Sequence, residues 1–321
     1  MSLRERLGLE HPVVAAGMGG GLSKARLTAA VADAGGLGQL GLLPPGPLRD
    51  ELRAHRERSD GPVAVNLLLP FARGEHWDIA RQADLVVTFW GTPRRHTDGP
   101  WVHQAGSVDE ARAAAGAGAD AVIVQGVEAG GHVRGTTPAL ALLERTRAAL
   151  GPDVPLWLAG GIAERGDVEE ALAAGAEAVV AGTRFLLSEE SGAHPEYRRR
   201  LLAAHETVLT DLFGAGWPDA PHRVVRNAAT DRHLREGPRG PRWLRAVHRA
   251  TGPLLARLPL EAMERAGRAQ RPGGPLLGPV AATADGPPSL VDAGPLYAGE
   301  TVRRIDALRP AGELVRVLGG G

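Results

Sequence analysis

The first two-thirds of this 321-residue chain alternates short apolar runs with amphipathic segments, and this pattern limits the possible folds more than any other feature. Strands that alternate with helices are typical of a parallel sheet, because each parallel strand needs a crossover that is usually a helix. The apolar runs predict strands at residues 12–16, 37–40, 62–68, 84–89, 101–104, 120–125, 154–159 and 178–181. The amphipathic segments predict helices at residues 23–34, 47–58, 75–82, 108–115, 138–150, 167–174 and 195–204. We therefore expect an α/β fold of the TIM (β/α)8 barrel type, and an open doubly wound sheet is the alternative that the same pattern allows.

One of these units lacks its helix. Between Phe89 and Trp101, residues 91–100 read GTPRRHTDGP, which is too short and too rich in Gly and Pro for a helix. Past about Thr207 the alternation stops, and Pro, Gly and Arg crowd residues 214–241 before helical patches at 243–249 and 259–269. We predict a barrel domain at residues 1–206, which is expected to carry the functional site, and a small, mostly helical segment at residues 207–321. This C-terminal segment is expected to pack on the barrel and to cover its mouth, with residues 294–317 closing over it.

Charge and cysteine content exclude several classes of function. Lys+Arg and Asp+Glu are both 37, so no net field favours nucleic acid or an acidic membrane surface. The chain has no Cys, which excludes disulfides, thiolate metal sites and Cys nucleophiles, and we expect no metal site. No apolar run has the length of a signal peptide or a membrane span, so we expect a cytoplasmic protein without a membrane partner. Neither charge nor cysteine content bears on the oligomeric state.

A possible dinucleotide fingerprint, GLGQLG, occurs at residues 36–41. The fingerprint should follow a strand and open a helix, with an acidic residue about 20 positions later. Here the glycines follow a predicted helix, contain a predicted strand and run into Pro44 and Pro45. We interpret them as a helix C-cap and a close contact between helix and strand.

Glycine-rich turns follow three of the predicted strands. GMGGGLS begins at Gly17, LAGGI at Leu158 and AGTRF at Ala181. A barrel places its active site at the carboxyl ends of the strands, and the loops after the last two strands often bind phosphate through backbone N–H groups. The paired turns at Leu158 and Ala181 therefore predict a site for a phosphorylated cofactor.

A denser motif, VQGVEAGGHVRG, begins at Val124 and follows the sixth predicted strand. Its glycines allow a bound group to approach the backbone, and His132 can accept a proton near neutral pH. Asn66 interrupts the apolar run VAVNLLL near the carboxyl end of its strand, where a polar side chain needs a partner. Both features lie at the predicted barrel mouth, and no GxSxG or HExxH motif competes with them for the chemistry.

These motifs together resemble the nitronate monooxygenase family, formerly called 2-nitropropane dioxygenases. The resemblance rests on QGVEAGGH, AGGI and GTRFLLSEES, on VAAGMGGGLS followed by VADAGGLG, and on VNLLLP, in that order from about Pro12 to Ala204. The EAGGH loop is also similar to that of flavin-dependent enoyl-ACP reductases. The resemblance implies an FMN-dependent TIM barrel with a smaller lid-like segment. The chain differs from the family pattern at VRG after His132, at the missing fourth helix and in the Arg- and Pro-rich C-terminal region. These differences bear on the identity of the substrate more than on that of the cofactor.

The resemblance also implies roles for individual residues. His132 matches the family's catalytic base, and Met18, His132 and Tyr297 would form the substrate pocket. Residues matching the floor beneath the flavin, its polar contacts and its close backbone approaches are Gly17, Met18, Asn66, Gln104, Gln125, Gly130 and Gly131. Residues matching the phosphate cradle are Gly160, Gly161, Ala181, Gly182 and Thr183.

The resemblance implies conversion of a nitronate or nitroalkane, with oxygen, to a carbonyl compound and nitrite. FMN would supply the redox chemistry, and the protein would supply orientation and electrostatics. Two alternatives remain open. One is an FMN-dependent NAD(P)H reductase acting on an enoyl thioester or a quinone, and the other is a flavin or phosphate sensor without catalysis. The expected partners are a small-molecule substrate and oxygen, with NAD(P)H added in the reductase case.

Overall fold

The structure, a computed structural model that describes residues 2–320, contains a TIM barrel of eight parallel strands. The strands of the chain are β1 (Val13–Ala15), β2 (Leu37–Leu40), β3 (Val63–Leu68), β4 (Leu85–Phe89), β5 (Trp101–Ala105), β6 (Ala121–Gln125), β7 (Gly131–His132), β8 (Leu156–Ala159), β9 (Ala178–Ala181), β10 (Val208–Thr210), β11 (His222–Val225) and β12 (Leu296–Tyr297). The barrel closes in the order β1-β2-β3-β4-β5-β6-β8-β9, with β9 paired to β1. All eight predicted strands are present, so the barrel is confirmed and the open sheet is excluded.

The described residues form helices both around the barrel and in the C-terminal segment. They are α1 (Leu3–Arg6), α2 (Ala25–Ala32), α3 (Pro45–Arg56), α4 (Gly74–Ala80), α5 (Val108–Gly116), α6 (Ala139–Leu150), α7 (Arg165–Ala173), α8 (Thr183–Leu186), α9 (Pro195–Leu202), α10 (Ala228–His233), α11 (Arg242–Leu255), α12 (Leu260–Arg268), α13 (Leu290–Ala293) and α14 (Ala311–Gly319), with a 3-10 turn at Glu300–Arg304. No helix occurs at residues 90–100, so the reduced unit between β4 and β5 is confirmed. Within residues 2–320 no helix is long and apolar enough to cross a membrane.

The barrel strands are buried on both faces, which explains their near-continuous apolar sequence. One set of side chains, including Val14, Val87 and Ile123, fills the barrel interior. The other set, including Val13, Val122 and Leu156, packs against the surrounding helices. Gly38 makes this second contact unusually close, because a Cβ at that position would collide with the backbone of Thr28 in α2. Gly38 of GLGQLG therefore serves the close helix–strand contact that the sequence predicts, and Gly41 packs against the Met18 backbone.

The chain beyond residue 206 contributes to two different parts of the molecule. β10, β11 and β12 form a second sheet, which β7 of the barrel loop joins through antiparallel pairing with β11. In contrast, α14 lies on the outer wall of the barrel in contact with α2 and α7. These are the neighbours expected for a helix that follows β9, so α14 occupies the eighth helical position of the ring.

The position of α14 corrects one expectation and refines another. Only the first part of residues 294–317 reaches the barrel mouth, because Leu314 and Val315 of α14 belong to the barrel's helix–strand core. The helix predicted at 195–204 exists as α9, but Tyr197 and Leu201 pack in a separate core with Leu296 of β12. The division at residue 206 remains a prediction, and the outer wall of the barrel draws on both sides of it.

Candidate functional site

A cavity of about 280 Å³ opens at the carboxyl ends of the barrel strands. Its walls come from the ends of several strands, from the loop before β7 and from the C-terminal segment. The cavity brings together nearly all the site residues expected from the sequence, namely Gly17, Met18, Asn66, Gln104, Gln125, Gly130, Gly131, His132, Gly160, Gly161, Gly182, Thr183 and Tyr297. Ala181 is the exception, because its side chain is buried in the helix–strand core. Ala181 directly precedes Gly182, which does line the cavity.

The cavity floor is formed where β1 and β3 end. The Asn66 Nδ2 donates a hydrogen bond to the Gly17 carbonyl over 3.0 Å, and a Cβ on Gly17 would collide with Asn66. This bond uses the amide nitrogen and leaves the amide oxygen to find another partner. Asn66 Oδ1 is buried and has no hydrogen-bond partner among the described residues. A ligand with an N–H donor would satisfy it.

The two glycine turns after β8 and β9 form a second wall of the cavity. Gly160 and Gly161 have φ values of +99° and +81°, a backbone conformation that favours glycine. Across from them, Gly182 precedes α8, and the Thr183 Oγ1 accepts a hydrogen bond from the Gly299 N–H over 2.8 Å. The Thr183 hydroxyl hydrogen is therefore free to donate to a bound anion. These residues have the open backbone and the donors that a phosphate requires.

The loop that carries His132 is held by Gln125. The Gln125 Nε2 donates to the His132 carbonyl over 3.0 Å, and its Oε1 accepts from the Arg134 N–H over 3.3 Å. Nearby, Glu128 accepts from the Ala139 N–H over 2.8 Å and so caps α6. The family resemblance implies Gln125 as a flavin contact, but half of its hydrogen-bonding capacity goes to the loop. One Nε2 hydrogen and one Oε1 lone pair remain for a ligand.

Pairing of β7 with β11 places His222 directly opposite His132. The His222 Nδ1 lies 3.0 Å from the Ala220 carbonyl, and its Nε2 accepts from the Phe213 N–H over 3.3 Å. Only the neutral Nδ1–H tautomer makes both bonds. Burial lowers the pKa of His222 to about 4, which is consistent with this tautomer. His222 is therefore an uncharged neighbour of His132.

Aromatic rings surround the His132 imidazole. Trp217 stacks on it with ring centroids 4.1 Å apart and an interplanar angle of 26°. Trp90 and Phe71 contact Trp217 edge-on at 4.9 and 5.0 Å. Trp90 has a φ of 64°, a left-handed conformation that is strained for a residue other than glycine. None of these three residues was expected from the sequence, because the contacts that link Phe71, Trp90, Trp217 and His132 join segments far apart in the chain.

His132 itself is poorly solvated. Burial, with a smaller contribution from His222, lowers the pKa of the imidazole well below its usual value of 6.5. Its Nε2 is buried and has no hydrogen-bond partner among the described residues. The ring is therefore neutral near physiological pH and keeps a nitrogen lone pair available for a proton. An imidazole in this state can act as a general base.

Tyr297 also lines the cavity and contacts His132. Its ring centroid lies 5.7 Å from that of His132, and its hydroxyl donates to the Pro279 carbonyl over 3.2 Å. Because this hydroxyl has a partner, Tyr297 contributes mainly an apolar ring and an anchor for residue 279. Tyr297, Met18 and His132 all line this cavity, and their role as a substrate pocket remains a prediction.

Gln39 is a further polar residue of the cavity, and the sequence reading did not single it out. It lies in β2, is 1% exposed and lines the cavity. The signal was a single polar residue inside an otherwise apolar strand, the same signal that identified Asn66. Among the described residues, no cluster of three or more His, Cys, Asp or Glu side chains could hold a metal ion.

Comparison with known proteins gives matches along almost the whole chain. The model of the nitronate monooxygenase family matches residues 2–92 and 93–320. A curated relative from Mycobacterium tuberculosis, (3aS,4S,5R,7aS)-5-hydroxy-7a-methyl-1-oxo-octahydro-1H-indene-4-carboxyl-CoA dehydrogenase, is 32% identical over 98% of this chain and 93% of its own.

Two solved structures share the fold. The nitroalkane oxidase of Streptomyces ansochromogenes is 30% identical, with a TM-score of 0.73 over 99% of this chain and 96% of its own. FabK from Thermotoga maritima is 27% identical, with a TM-score of 0.75 over 98% of this chain and 94% of its own.

Proposed function

The chain belongs to the nitronate monooxygenase family. We propose that it is an FMN-dependent oxidoreductase that oxidises a nitroalkane or the corresponding nitronate. The family supports a flavin-dependent oxidoreductase in general. FMN as the cofactor, the nitronate reaction and the roles of individual residues are the parts that the proposal adds.

The shape and chemistry of the cavity fit FMN. Gly160, Gly161, Gly182 and Thr183 would hold the phosphate, since they combine open backbone with hydrogen-bond donors. Asn66 Oδ1 would accept from the N–H of the flavin ring, which satisfies an otherwise unpartnered buried oxygen. GLGQLG is used for packing and not for a dinucleotide, which favours FMN over FAD. Heat-released cofactor should therefore have the mass of FMN.

The state of His132 carries the functional proposal. The ring is neutral, desolvated and held by Trp217, and its Nε2 has no partner. His132 would remove the α-proton of a nitroalkane, leaving the electron pair on the nitronate. Bound FMN supplies the electron acceptor, and oxygen completes the conversion to a carbonyl compound and nitrite. The apolar rings around His132 would exclude water and hold the substrate carbon against the imidazole.

A second candidate is an NAD(P)H-dependent reductase of an enoyl thioester or a quinone. Similarity to FabK, an enoyl-ACP reductase, favours it, as does similarity to a relative named as a CoA thioester dehydrogenase. The apolar rings of Phe71, Trp217 and Tyr297 would also suit a substrate larger than a simple nitroalkane.

One anaerobic titration separates the candidates. FMN-loaded protein is mixed first with a preformed nitronate and then, in a separate sample, with NADH or NADPH, and the flavin spectrum is recorded. We expect the nitronate to bleach the flavin and the nicotinamides to leave it oxidised. Rapid bleaching by a nicotinamide, with none by nitronate, would instead establish the reductase. A flavin that responds to neither would favour a binding protein without catalysis.

A further inference from the structure

We propose that Gln39 is a flavin-binding residue. Its Nε2 would donate a hydrogen bond to a carbonyl of the flavin pyrimidine ring, next to the ring N–H that donates to Asn66 Oδ1. This inference rests on the FMN assignment but not on the nitronate reaction. It adds a residue that neither the motif resemblance nor the comparisons identify.

The first observation is an unpartnered buried donor on a residue that lines the cavity. Gln39 is 1% exposed, and its Nε2 has no hydrogen-bond partner among the described residues. An unsatisfied buried polar group destabilises the folded protein, and an apolar residue at this position would avoid that cost. The strand context gives no structural reason for the amide, since its neighbours Leu37 and Leu40 are apolar and fully buried.

The strand geometry directs the amide inward. Side chains alternate between the two faces of a strand, and Gly38 faces Thr28 of α2 on the outer side. Gln39 must then face the barrel interior, which agrees with its place in the cavity wall. A ligand in the barrel mouth could therefore supply the partner that Nε2 lacks.

The second observation is an unpartnered acceptor on the adjacent strand. β2 and β3 pair with Gln39 opposite Ala64, so Asn66 lies two residues further along β3 on the same face. Given the spacing of strands and residues, the Cα atoms of Gln39 and Asn66 are roughly 8 Å apart. The Asn66 Nδ2 is bound to the Gly17 carbonyl, which leaves Oδ1 as the acceptor.

A free donor and a free acceptor side by side select a ligand that presents both complementary groups. The pyrimidine edge of a flavin does so, because a ring N–H lies between two carbonyls. A nitro group or a thioester offers acceptors only and would leave Asn66 Oδ1 unsatisfied. The pair therefore fits the cofactor better than either candidate substrate.

A donor to a pyrimidine carbonyl also has an electronic consequence. Reduction places negative charge on this ring, and a fixed hydrogen-bond donor stabilises that charge. Gln39 would then raise the reduction potential of the bound flavin as well as its affinity. A residue with a purely structural role would change neither quantity.

The test uses the full-length apoprotein and FMN itself. Gln39→Met keeps the side-chain volume and removes the amide, and Gln82→Leu, at an exposed position after α4, is the matched control. We expect Gln39→Met to raise the FMN dissociation constant about tenfold, measured by flavin fluorescence quenching, and to lower the flavin reduction potential. Gln82→Leu should change neither.

A second measurement uses only wild-type protein, so it remains informative if Gln39→Met fails to fold. Wild-type apoprotein is titrated with FMN and with analogues in which sulfur replaces one pyrimidine carbonyl oxygen, since sulfur is a weaker acceptor. One analogue should bind more weakly than FMN. Equal binding of FMN by Gln39→Met and wild type at an unchanged potential, or equal binding of all analogues by wild type, would overturn the role of Gln39. Failure of wild type to bind FMN at all would instead overturn the FMN assignment.

Discussion

The two ends of the cavity are built in different ways. The end formed by Gly17, Asn66, Gly160 and Thr183 comes from barrel strand ends, and it offers backbone groups and small polar side chains. The end around His132 comes from a loop, the helix-free β4–β5 connection and the C-terminal segment, and it offers aromatic rings. The first end suits a charged, polar cofactor, and the second suits proton removal from an apolar substrate.

This difference implies that the two ends can be altered separately. Substitutions at the strand ends should change flavin binding, and substitutions in the aromatic end should change turnover with the flavin retained. The two effects are hardest to separate at Thr183, because its hydrogen bond with Gly299 joins the barrel to the C-terminal segment.

His132→Asn should give the largest loss of activity, and it should leave flavin binding at the other end of the cavity unchanged. General-base catalysis contributes about 10²–10⁴-fold, so turnover of a nitroalkane should fall by that order while turnover of a preformed nitronate is largely kept. FMN content should stay near that of wild type. The matched control is His205→Asn, at an exposed position outside the cavity. Equal losses on both substrates would assign His132 to substrate binding and not to proton removal.

Thr183→Val should affect the opposite end. It removes one donor to a charged phosphate, a bond worth about 1.5–3 kcal/mol, so the FMN dissociation constant should rise by about ten- to a hundredfold. Thr146→Val, at a buried hydroxyl of α6 that has no partner among the described residues, is the control. An FMN affinity equal to that of wild type would remove Thr183 from the phosphate site.

Trp217→Leu tests whether the aromatic stack positions the base. Loss of the ring should let the imidazole rotate, and we expect nitroalkane turnover to fall by roughly tenfold, an orientation effect. Nitronate turnover and FMN content should change little, and Trp217→Phe should recover part of the loss. Trp243→Leu, at a side chain that is 52% exposed, serves as the control. A change confined to KM would make Trp217 a wall of the substrate pocket.

The smallest effect is expected from pH. His132 must be neutral to accept a proton, and burial lowers its pKa in the folded protein. The active form should then persist as pH falls through the usual histidine value of about 6.5. Between about pH 7.5 and 6, nitroalkane kcat should be nearly constant, whereas a base with an ordinary pKa would lose about fourfold. A fall of that size, centred near 6.5, would show that His132 is solvated during turnover.

The barrel and the glycine turns could be predicted from the sequence because both are local signals. Each strand is a short apolar run, and the turns at Gly17, Gly160 and Gly182 follow directly from strand ends. Asn66 was found in the same way. Gln39 carries the same signal but was considered only as part of a possible dinucleotide motif.

Other features depend on contacts that are distant in sequence. Trp217 reaches His132 because β11 pairs with β7, and no property of residues 214–220 indicates that pairing. Likewise, α14 fills the helical ring although it comes more than 100 residues after β9. The amphipathic pattern of residues 311–319 indicates a helix but not the surface that it covers.

Anaerobic flavin reduction by a nitroalkane carrying deuterium at its α-carbon tests the central claim most directly, because it reports proton removal and electron transfer in the same cavity. The rate of bleaching of wild-type, FMN-loaded protein is compared for the deuterated and ordinary nitroalkane, and for the two corresponding nitronates. We predict clearly slower bleaching by the deuterated nitroalkane and equal rates for the nitronates. Equal rates for both nitroalkanes at saturating concentration, or no bleaching by any of these compounds, would contradict proton removal at His132 as the step that prepares a substrate for the flavin.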